Sequence, residues 1–180
     1  EKGDMQKEIT ILVVEDNNDL RKYLYTILND SYNVLLAENG KAGLVVARKN
    51  TPDFILTDVT MPVMDGITMI HHLKQDLALK NIPIVVLSAK ASAEDQLKGF
   101  EEGIDGYLTK PFSVNYLLGR IEAVLNKRRA IQTDVLQRLK AAGDQDAIAS
   151  YIGKQGTGYS SSQCGRSKGK RQGIHVGTNK

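Results

Sequence analysis

The sequence predicts an α/β protein with one parallel five-stranded sheet that is covered by helices on both faces. Five short apolar runs alternate along the chain with five segments whose apolar residues recur at helical spacing. The apolar runs are not broken by alternating polar residues, which is typical of strands buried on both faces of a parallel sheet. Because crossovers between parallel strands are right-handed, few topologies remain, and the strand order 2-1-3-4-5 is one of them.

The predicted strands are short, and four of them run directly into polar residues. The first strand ends before Glu15 and the third before Asp58. The fourth ends before Ser88 and the fifth before Lys110. Pro83 stands near the start of the fourth run, where a strand tolerates proline. The five predicted strands are residues 9–14, 32–37, 54–57, 82–87 and 106–109.

Each predicted helix begins at a residue that favours a turn or a helix cap. The side-chain oxygens of Asn, Asp and Ser accept hydrogen bonds from backbone amides in the first helical turn. Gly103 is the predicted stop of the fourth helix. Together with the strand order, these helices predict a flavodoxin-like doubly wound fold with five flanking helices. The predicted starts are Asn17 or Asn18, Asn39-Gly40, Asp65-Gly66, Ser92 and Ser113.

Charge and composition divide the chain into three parts. Residues 8–128 contain the predicted α/β domain, and residues 129–150 keep a partial helical spacing that predicts a helical extension or linker. Residues 151–180 contain six basic residues, no acidic residue and seven of the 16 glycines. We expect this basic Gly/Ser-rich tail to be disordered or not native to the domain, because it buries too little apolar surface to offset its ordering entropy.

The bulk composition excludes several classes of protein. With 41% apolar and 25% charged residues, the chain has the composition of a soluble globular protein. It has no run of about 20 apolar residues and no signal peptide, so we expect no membrane contact in this segment. The single cysteine, Cys164, excludes an internal disulfide framework and fits a reducing compartment such as the cytoplasm. The net charge of +3 arises in the tail, so it is weak support for nucleic-acid binding.

The polar strand ends predict a metal site. The C-terminal ends of parallel strands meet at one edge of the sheet, where ligands bind. Glu15, Asp16 and Asp58 would bring their carboxylates together there, and such groups repel one another unless a cation compensates. Mg²⁺ suits a site with few carboxylates, several waters and a phosphoryl oxygen. We expect Asp16 and Asp58 to ligate the metal directly and Glu15 to act through water. The backbone carbonyl of Thr60 is a further candidate ligand.

Asp58 is the predicted phosphoacceptor, because one of its oxygens can attack a phosphoryl group that the cation orients in line. Lys110 supplies a positive charge that can pair with Asp58 before phosphorylation and with the phosphoryl group afterwards. The hydroxyl of Ser88 can donate to a phosphoryl oxygen. The ring of Tyr107 can exchange between solvent and a space vacated by the Ser88 loop, so these two residues form the predicted switch. A cis bond before Pro111 would turn Lys110 into the site.

These residues and spacings resemble the receiver domain of two-component response regulators. The segments ILVVEDN, DVTMPVMDG, PIVVLSA and GYLTKPF follow the order of the family pattern. The intervals from Asp16 to Asp58, from Asp58 to Ser88 and from Ser88 to Lys110 are 42, 30 and 22 residues, similar to the family's spacing. The resemblance covers about residues 8–128. The segment ILVVEDNNDLRKYL is most similar to receivers that are fused behind the kinase in hybrid sensor histidine kinases.

The resemblance implies that a histidine kinase or a phosphotransfer domain phosphorylates Asp58 in a reaction that requires Mg²⁺. It implies that Ser88 and Tyr107 then move and remodel the face made by the fourth helix, the fifth strand and the fifth helix, which is the expected homodimer surface. It also implies a signalling domain and not an enzyme, located in the cytoplasm or in the cytoplasmic part of a membrane-anchored hybrid sensor. Contact with nucleic acid is expected only through an output domain, which the residues after 140 do not resemble.

Two other classes of function compete with this interpretation. A haloacid-dehalogenase-type phosphatase also uses an aspartyl nucleophile, but that chemistry needs a second aspartate two residues later, where this chain has Thr60. A degenerate receiver that acts as a phosphorylation-independent interaction module is the other alternative, and the complete set of pocket residues argues against it. The cognate kinase, the stimulus, the output and the oligomeric state stay open at this point.

Overall fold

The computed structural model describes residues 7–89 and 103–155, and these residues contain a sheet of five parallel strands. The strand order is β2-β1-β3-β4-β5, so the predicted flavodoxin-like topology is confirmed. The predicted strand ends agree with the structure to within two residues, as expected because the terminal pairs of a ladder are weakly defined. The strands are β1 (Thr10–Val14), β2 (Asn33–Ala37), β3 (Phe54–Asp58), β4 (Ile84–Ser88) and β5 (Gly106–Thr109).

The helices of the described residues follow the strands as the sequence predicts. The fourth predicted helix, which begins at Ser92, lies outside the described residues. The two helices after β5 are named the long helix and the terminal helix. The helices are α1 (Asn18–Leu28), α2 (Gly40–Asn50), α3 (Gly66–Gln75), the long helix (Val114–Ala142) and the terminal helix (Gln145–Gln155).

Four of the predicted helix starts are confirmed, and each of these helices has an N-cap residue. In each of them, the side-chain oxygen accepts a hydrogen bond from the backbone amide three residues later in the chain. Such a bond satisfies one of the amides that a helix leaves without an intrahelical partner at its N-terminus. The capping residues are Asn17, Asn39, Asp65 and Ser113.

Each face of the sheet is covered by a separate apolar core. Along β1, Leu12 and Val14 lie on one face, and Ile11 and Val13 lie on the other, because successive side chains of a strand alternate. The first core lies under α2 and α3, and the second lies under α1 and the long helix. All four of these side chains are fully buried. Burial on both faces is the reason that residues 11–14 of β1 are all apolar.

Two aspartates join the starts of neighbouring strands at the edge of the sheet opposite the predicted pocket. Asp53, directly before β3, accepts a hydrogen bond from the amide of Thr10 at 2.8 Å and donates its own amide to the Thr10 carbonyl at 2.8 Å. Asp105, directly before β5, makes the same pair of bonds with Ile84, at 2.9 and 2.8 Å. These bonds hold β1 with β3 and β4 with β5 in register, so the opposite strand ends are aligned as well.

The chain after β5 forms two helices, which together cover nearly all of residues 129–150, the predicted helical extension or linker. The long helix continues without a break until Gly143 ends it in the left-handed conformation, with φ 69°. The terminal helix then runs to Gln155, which lies beyond residue 151, the predicted start of the tail. Neither Gly nor Pro interrupts residues 126–142, so nothing in this stretch opposes a continuous helix.

The terminal helix folds back against the long helix. Burial lowers the pKa of Arg128 on the long helix, and the nearby charges of Asp105 and Tyr151 act in the opposite direction. Asp105 belongs to the base of β5, whereas Tyr151 belongs to the terminal helix. The base of the sheet, the long helix and the terminal helix therefore meet around Arg128.

Candidate functional site

The loop between β1 and α1 holds two of the predicted acidic residues. Glu15 follows β1 directly, is fully buried, and donates its amide to the carbonyl of Ala37 at 3.1 Å. Its Oε1 atom accepts a hydrogen bond from the amide of Asn17 at 3.1 Å. Asp16 is exposed. The loop thus directs one carboxylate into the protein and leaves its neighbour accessible from solvent.

Asp58 ends β3 and is almost completely buried, with 8% of its surface exposed. Its Oδ1 atom accepts a hydrogen bond from the amide of Val59 at 2.7 Å, and its carbonyl accepts one from the hydroxyl of Thr57 at 2.9 Å. Gly66, at the start of α3, packs on that carbonyl and donates its amide to the carbonyl of Val59 at 2.8 Å. Both the backbone and the side chain of Asp58 are therefore held in one position.

The three carboxylates converge, as the sequence predicts. Glu15, Asp16 and Asp58 each offer an oxygen atom, and these atoms lie within 4.8 Å of one another. A hard divalent cation prefers oxygen ligands of this kind, and carboxylates at this separation need a positive charge among them. The donor set therefore fits Mg²⁺.

Lys110 reaches this cluster from the end of β5. Its Nζ atom donates to Oδ2 of Asp58 at 2.9 Å and to Oε2 of Glu15 at 3.0 Å. The predicted cis peptide bond between Lys110 and Pro111 is present. The amide of Lys110 also donates to the carbonyl of Ser88 at 2.8 Å, so the ends of β4 and β5 are tied together beside the carboxylates.

Burial, hydrogen bonds and neighbouring charges shift the pKa values of Glu15 and Lys110. Burial raises the pKa of Glu15 above its ordinary value, its hydrogen bonds to Lys110 and Asn17 lower it, and the negative charge of Asp58 adds to the increase. Burial lowers the pKa of Lys110, but its hydrogen bonds to Asp58 and Glu15 outweigh that effect and leave the pKa raised. Three carboxylates face one ammonium group here, so excess negative charge favours the binding of a cation.

The remaining predicted residues lie around the cluster at different depths. Ser88 is buried at the end of β4, where it pairs with Thr109 in the register of the sheet. Tyr107 is partly buried on β5 and packs against the core under α2 and α3. Thr60 lies two residues after Asp58 in an exposed loop. Ser88 and Thr60 thus lie at or just beyond the strand ends that carry the carboxylates, whereas Tyr107 pairs with Val86, two residues before the end of β4.

An apolar groove adjoins the lysine. It has a volume of about 390 Å³ and lies between α1 and the segment that leads into the long helix. The acidic cluster therefore opens beside a surface of mostly apolar character. The groove is lined by Leu20, Tyr23, Lys110, Pro111 and Phe112.

Sequence reasoning missed Arg21, which is bonded to the acidic loop. Its guanidinium group donates to the backbone carbonyls of Glu15 at 2.7 Å and of Asp16 at 3.3 Å. The sequence contained one signal, the position of Arg21 in the first turns of a predicted helix. The helix dipole disfavours a positive charge there, so an interaction with nearby residues was to be expected. The hydrogen-bond partners, however, are main-chain atoms, which sequence patterns do not reveal.

Comparison with known proteins identifies the family of this site. The sequence model of the response regulator receiver domain matches residues 11–122, more than half of the chain. The chain belongs to the response regulator receiver domain family. Its receiver domain is a signalling domain of two-component systems with a phosphoacceptor role, so the resemblance seen in the sequence is confirmed. Receiver domains bind Mg²⁺, and they interact with histidine kinases or phosphotransfer domains.

The curated relatives of the receiver domain include both kinases and transcriptional regulators. The chain is 38% identical over 127 residues to histidine kinase P4 of Formosa agariphila, a match that covers 71% of this chain and 9% of the kinase. It is 40% identical over 127 residues to the transcriptional regulatory protein RprY of Bacteroides fragilis, covering 70% of this chain and 53% of that protein. The chain thus spans about half of that regulator's length and a small part of the kinase.

Solved structures agree with the family. The chemotaxis response regulator CheY4 of Vibrio cholerae superimposes with a TM-score of 0.62 at 32% identity, covering 64% of this chain and 98% of that one. The signal receiver domain of a signal transduction histidine kinase from Syntrophus aciditrophicus gives a TM-score of 0.62 at 30% identity, covering 66% and 91%. Within residues 7–89 and 103–155, none of the receiver's helices combines the length and apolar character of a membrane span.

Proposed function

We propose that Asp58 is the residue of this receiver domain that accepts a phosphoryl group. One observation carries the proposal: Nζ of Lys110 donates hydrogen bonds to both Asp58 and Glu15, two members of the three-carboxylate cluster. The buried carboxylate of Asp58 is paired with the ammonium group of Lys110. When a phosphoryl group arrives, that ammonium group can pair with a phosphoryl oxygen in its place. An oxygen of Asp58 attacks phosphorus, the bond between phosphorus and the donor atom breaks, and the donor leaves with that electron pair.

The proposed metal ligands are Glu15, Asp16, Asp58 and the backbone carbonyl of Thr60. The support is the separation of the carboxylate oxygens, which lie within 4.8 Å of one another, and the exposure of Asp16 to solvent. Bound Mg²⁺ supplies neutralisation of the negative charge on the phosphoryl donor. Asp58 would then be both a metal ligand and the nucleophile. Glu15 and Asp16 would hold the cation without forming a bond to the phosphoryl group.

Lys110 and Ser88 are the proposed partners of the phosphoryl group, and Ser88 and Tyr107 are the proposed switch. The ammonium group of Lys110 exchanges its bond to Asp58 for one to a phosphoryl oxygen, and the hydroxyl of Ser88 donates to another oxygen. A phosphoryl group shifts the population of states only as far as its contacts differ between them, and roughly 5 kcal/mol is needed for a change from 1:99 to 99:1. The partial burial of Tyr107 against the core supports a role in reporting that shift.

We also propose the organisation and partners that the sequence predicts. Residues 8–128 act as the receiver, residues 129–150 as a helical linker, and residues 151–180 as a tail. A histidine kinase or a phosphotransfer domain in the cytoplasm supplies the phosphoryl group, and the receiver is part of a hybrid sensor or of a regulator. The face of the fourth predicted helix, β5 and the long helix serves as a homodimer surface. Identity to both histidine kinases and transcriptional regulators supports either setting.

A phosphorylation assay tests the function. The full chain is incubated with acetyl phosphate and Mg²⁺ and analysed on a Phos-tag gel, where a shifted band reports the acyl phosphate. We expect a shift for the wild-type protein and for Asp30→Asn, a control at an exposed position, and none for Asp58→Asn. Treatment with EDTA removes the shift, because the cation is required. A shift that persists in Asp58→Asn would assign the phosphoryl group to another residue, and no shift in the wild type would favour a phosphorylation-independent module.

A further inference from the structure

Arg21, near the start of α1, lies against the loop that carries Glu15 and Asp16. We propose that Arg21 is a positioning residue, whose guanidinium group fixes the backbone of this loop so that the two carboxylates are held in place for a divalent cation. The inference rests on the proposed metal site. It adds to that site a residue that does not touch the metal and acts through the main chain of the ligands.

The bonds of Arg21 reach three points of one short segment. Nη1 donates to the carbonyl of Glu15 at 2.7 Å and to the carbonyl of Asp16 at 3.3 Å. Nη2 donates to the side-chain oxygen of Asn18 at 3.1 Å. The guanidinium group is a rigid planar fork, so bonds from its two nitrogens restrict the orientation of the loop, whereas a single ammonium group restrains only a distance.

The position of the Arg21 guanidinium group is not explained by favourable charge interactions. A cation near the N-terminus of a helix opposes the helix dipole. A cation near a divalent metal site also repels the metal. Both bonds of Nη1 go to main-chain oxygens, so Arg21 does not occupy the carboxylate oxygens that a metal requires. Lys110 is different, because its ammonium group bonds directly to the carboxylates of Glu15 and Asp58.

Positioning and charge predict opposite results when Arg21 is replaced. If Arg21 acts only through its charge, Arg21→Ala reduces repulsion and Mg²⁺ binds more tightly. If Arg21 positions the loop, the same substitution releases Glu15 and Asp16 and Mg²⁺ binds more weakly. Groups that orient metal ligands typically change affinity by about 10–100-fold when they are removed. We expect Arg21→Ala to raise the Kd for Mg²⁺ about ten-fold, and Arg21→Lys to raise it by a smaller factor.

The Kd is measured by titrating the full-length, ¹⁵N-labelled chain with Mg²⁺ and following its amide resonances by NMR. The amides of Asn17 and Val59 are suitable reporters, because they bond to the carboxylates of Glu15 and Asp58. The same spectra show whether each variant is folded. Lys22→Ala is the matched control, because it removes one positive charge from the next, exposed position of α1. Since exposed charges are screened by salt, its Kd should lie within about two-fold of the wild type.

The outcomes separate this inference from the proposed function. Mg²⁺ binding by the wild type, with equal or tighter binding by a folded Arg21→Ala, would overturn the inference alone. Failure of the wild type to bind Mg²⁺ would overturn the proposed metal site and this inference with it. If Arg21→Ala is unfolded, the Kd of Arg21→Lys for Mg²⁺ is the test. A Kd equal to that of the wild type would then overturn the positioning role.

Discussion

A Cβ atom at Gly66 would lie 2.0 Å from the carbonyl oxygen of Asp58, so the first residue of α3 packs directly on the backbone of the proposed phosphoacceptor. The start of α3 and the backbone of Asp58 are therefore in direct van der Waals contact. A glycine at this position serves the close approach of two main-chain segments, and any side chain would separate them. The contact explains why the first residue of α3 is a glycine.

Gly66→Ala is expected to destabilise the protein and to slow phosphorylation of Asp58. The added methyl group must displace backbone, and such overpacking costs about 3 kcal/mol. Gly119→Ala is the matched control, because no atom lies within 4 Å of a Cβ placed there in the long helix. That substitution should stabilise the protein by about 0.5–1 kcal/mol through helix propensity. Urea unfolding of both variants checks the signs, and a stable Gly66→Ala would contradict the observed packing.

Lys110→Met is expected to destabilise the metal-free protein and to have a smaller effect when Mg²⁺ is bound. The substitution leaves Glu15 and Asp58 without the ammonium group that bonds to both of them. Because the lysine is partly exposed, we expect a loss of roughly 1–3 kcal/mol in EDTA. Unfolding in urea, with EDTA and then with saturating Mg²⁺, measures both values. An equal loss under the two conditions would show that the cation does not replace the lysine's charge.

Glu15→Gln is expected to stabilise the metal-free protein, and increasingly so as the pH rises. Burial raises the folded-state pKa of Glu15 above 4.5, so the folded protein binds more protons than the unfolded chain above that pH. Ionisation of Glu15 therefore reduces stability as the pH rises from 4.5 through the folded-state pKa, and the glutamine variant lacks this loss.

The free energy of unfolding of wild type and Glu15→Gln is compared in EDTA at several values of pH. The gap between them should be small near the ordinary pKa of a glutamate and should widen with increasing pH. Glu122→Gln, at an exposed position of the long helix, is the control and should follow the wild type. A gap that narrows with increasing pH would show that the partners of Glu15 outweigh its burial.

Asp53→Ala is expected to destabilise the sheet at the edge opposite the acidic cluster. The carboxylate of Asp53 accepts a hydrogen bond from the amide of Thr10 at 2.8 Å, and alanine leaves that donor without this partner. The loss should be about 1–2 kcal/mol. Asp30→Ala, at an exposed position, should change stability by less than about 0.5 kcal/mol. Equal stability of the two variants in urea would argue that water satisfies the amide equally well.

Much of the fold followed from local patterns in the chain. The apolar runs predicted all five strands, because the strands of a parallel sheet that helices cover on both faces are mostly apolar. Four of the predicted helix starts are observed, because capping depends on a side chain and an amide only three residues apart. The predicted meeting of Glu15, Asp16 and Asp58 follows from the same reasoning, since parallel strands end at one edge of the sheet.

Other features depend on contacts between distant or main-chain atoms, and no local pattern encodes them. The role of Arg21 depends on the direction of two backbone carbonyls, and the burial of Glu15 depends on the path of the neighbouring strand β2. The return of the terminal helix along the long helix depends on packing beyond residue 126, where apolar spacing is weak. Periodicity reports which side of an element is buried, whereas the partner that buries it is chosen only when the elements assemble.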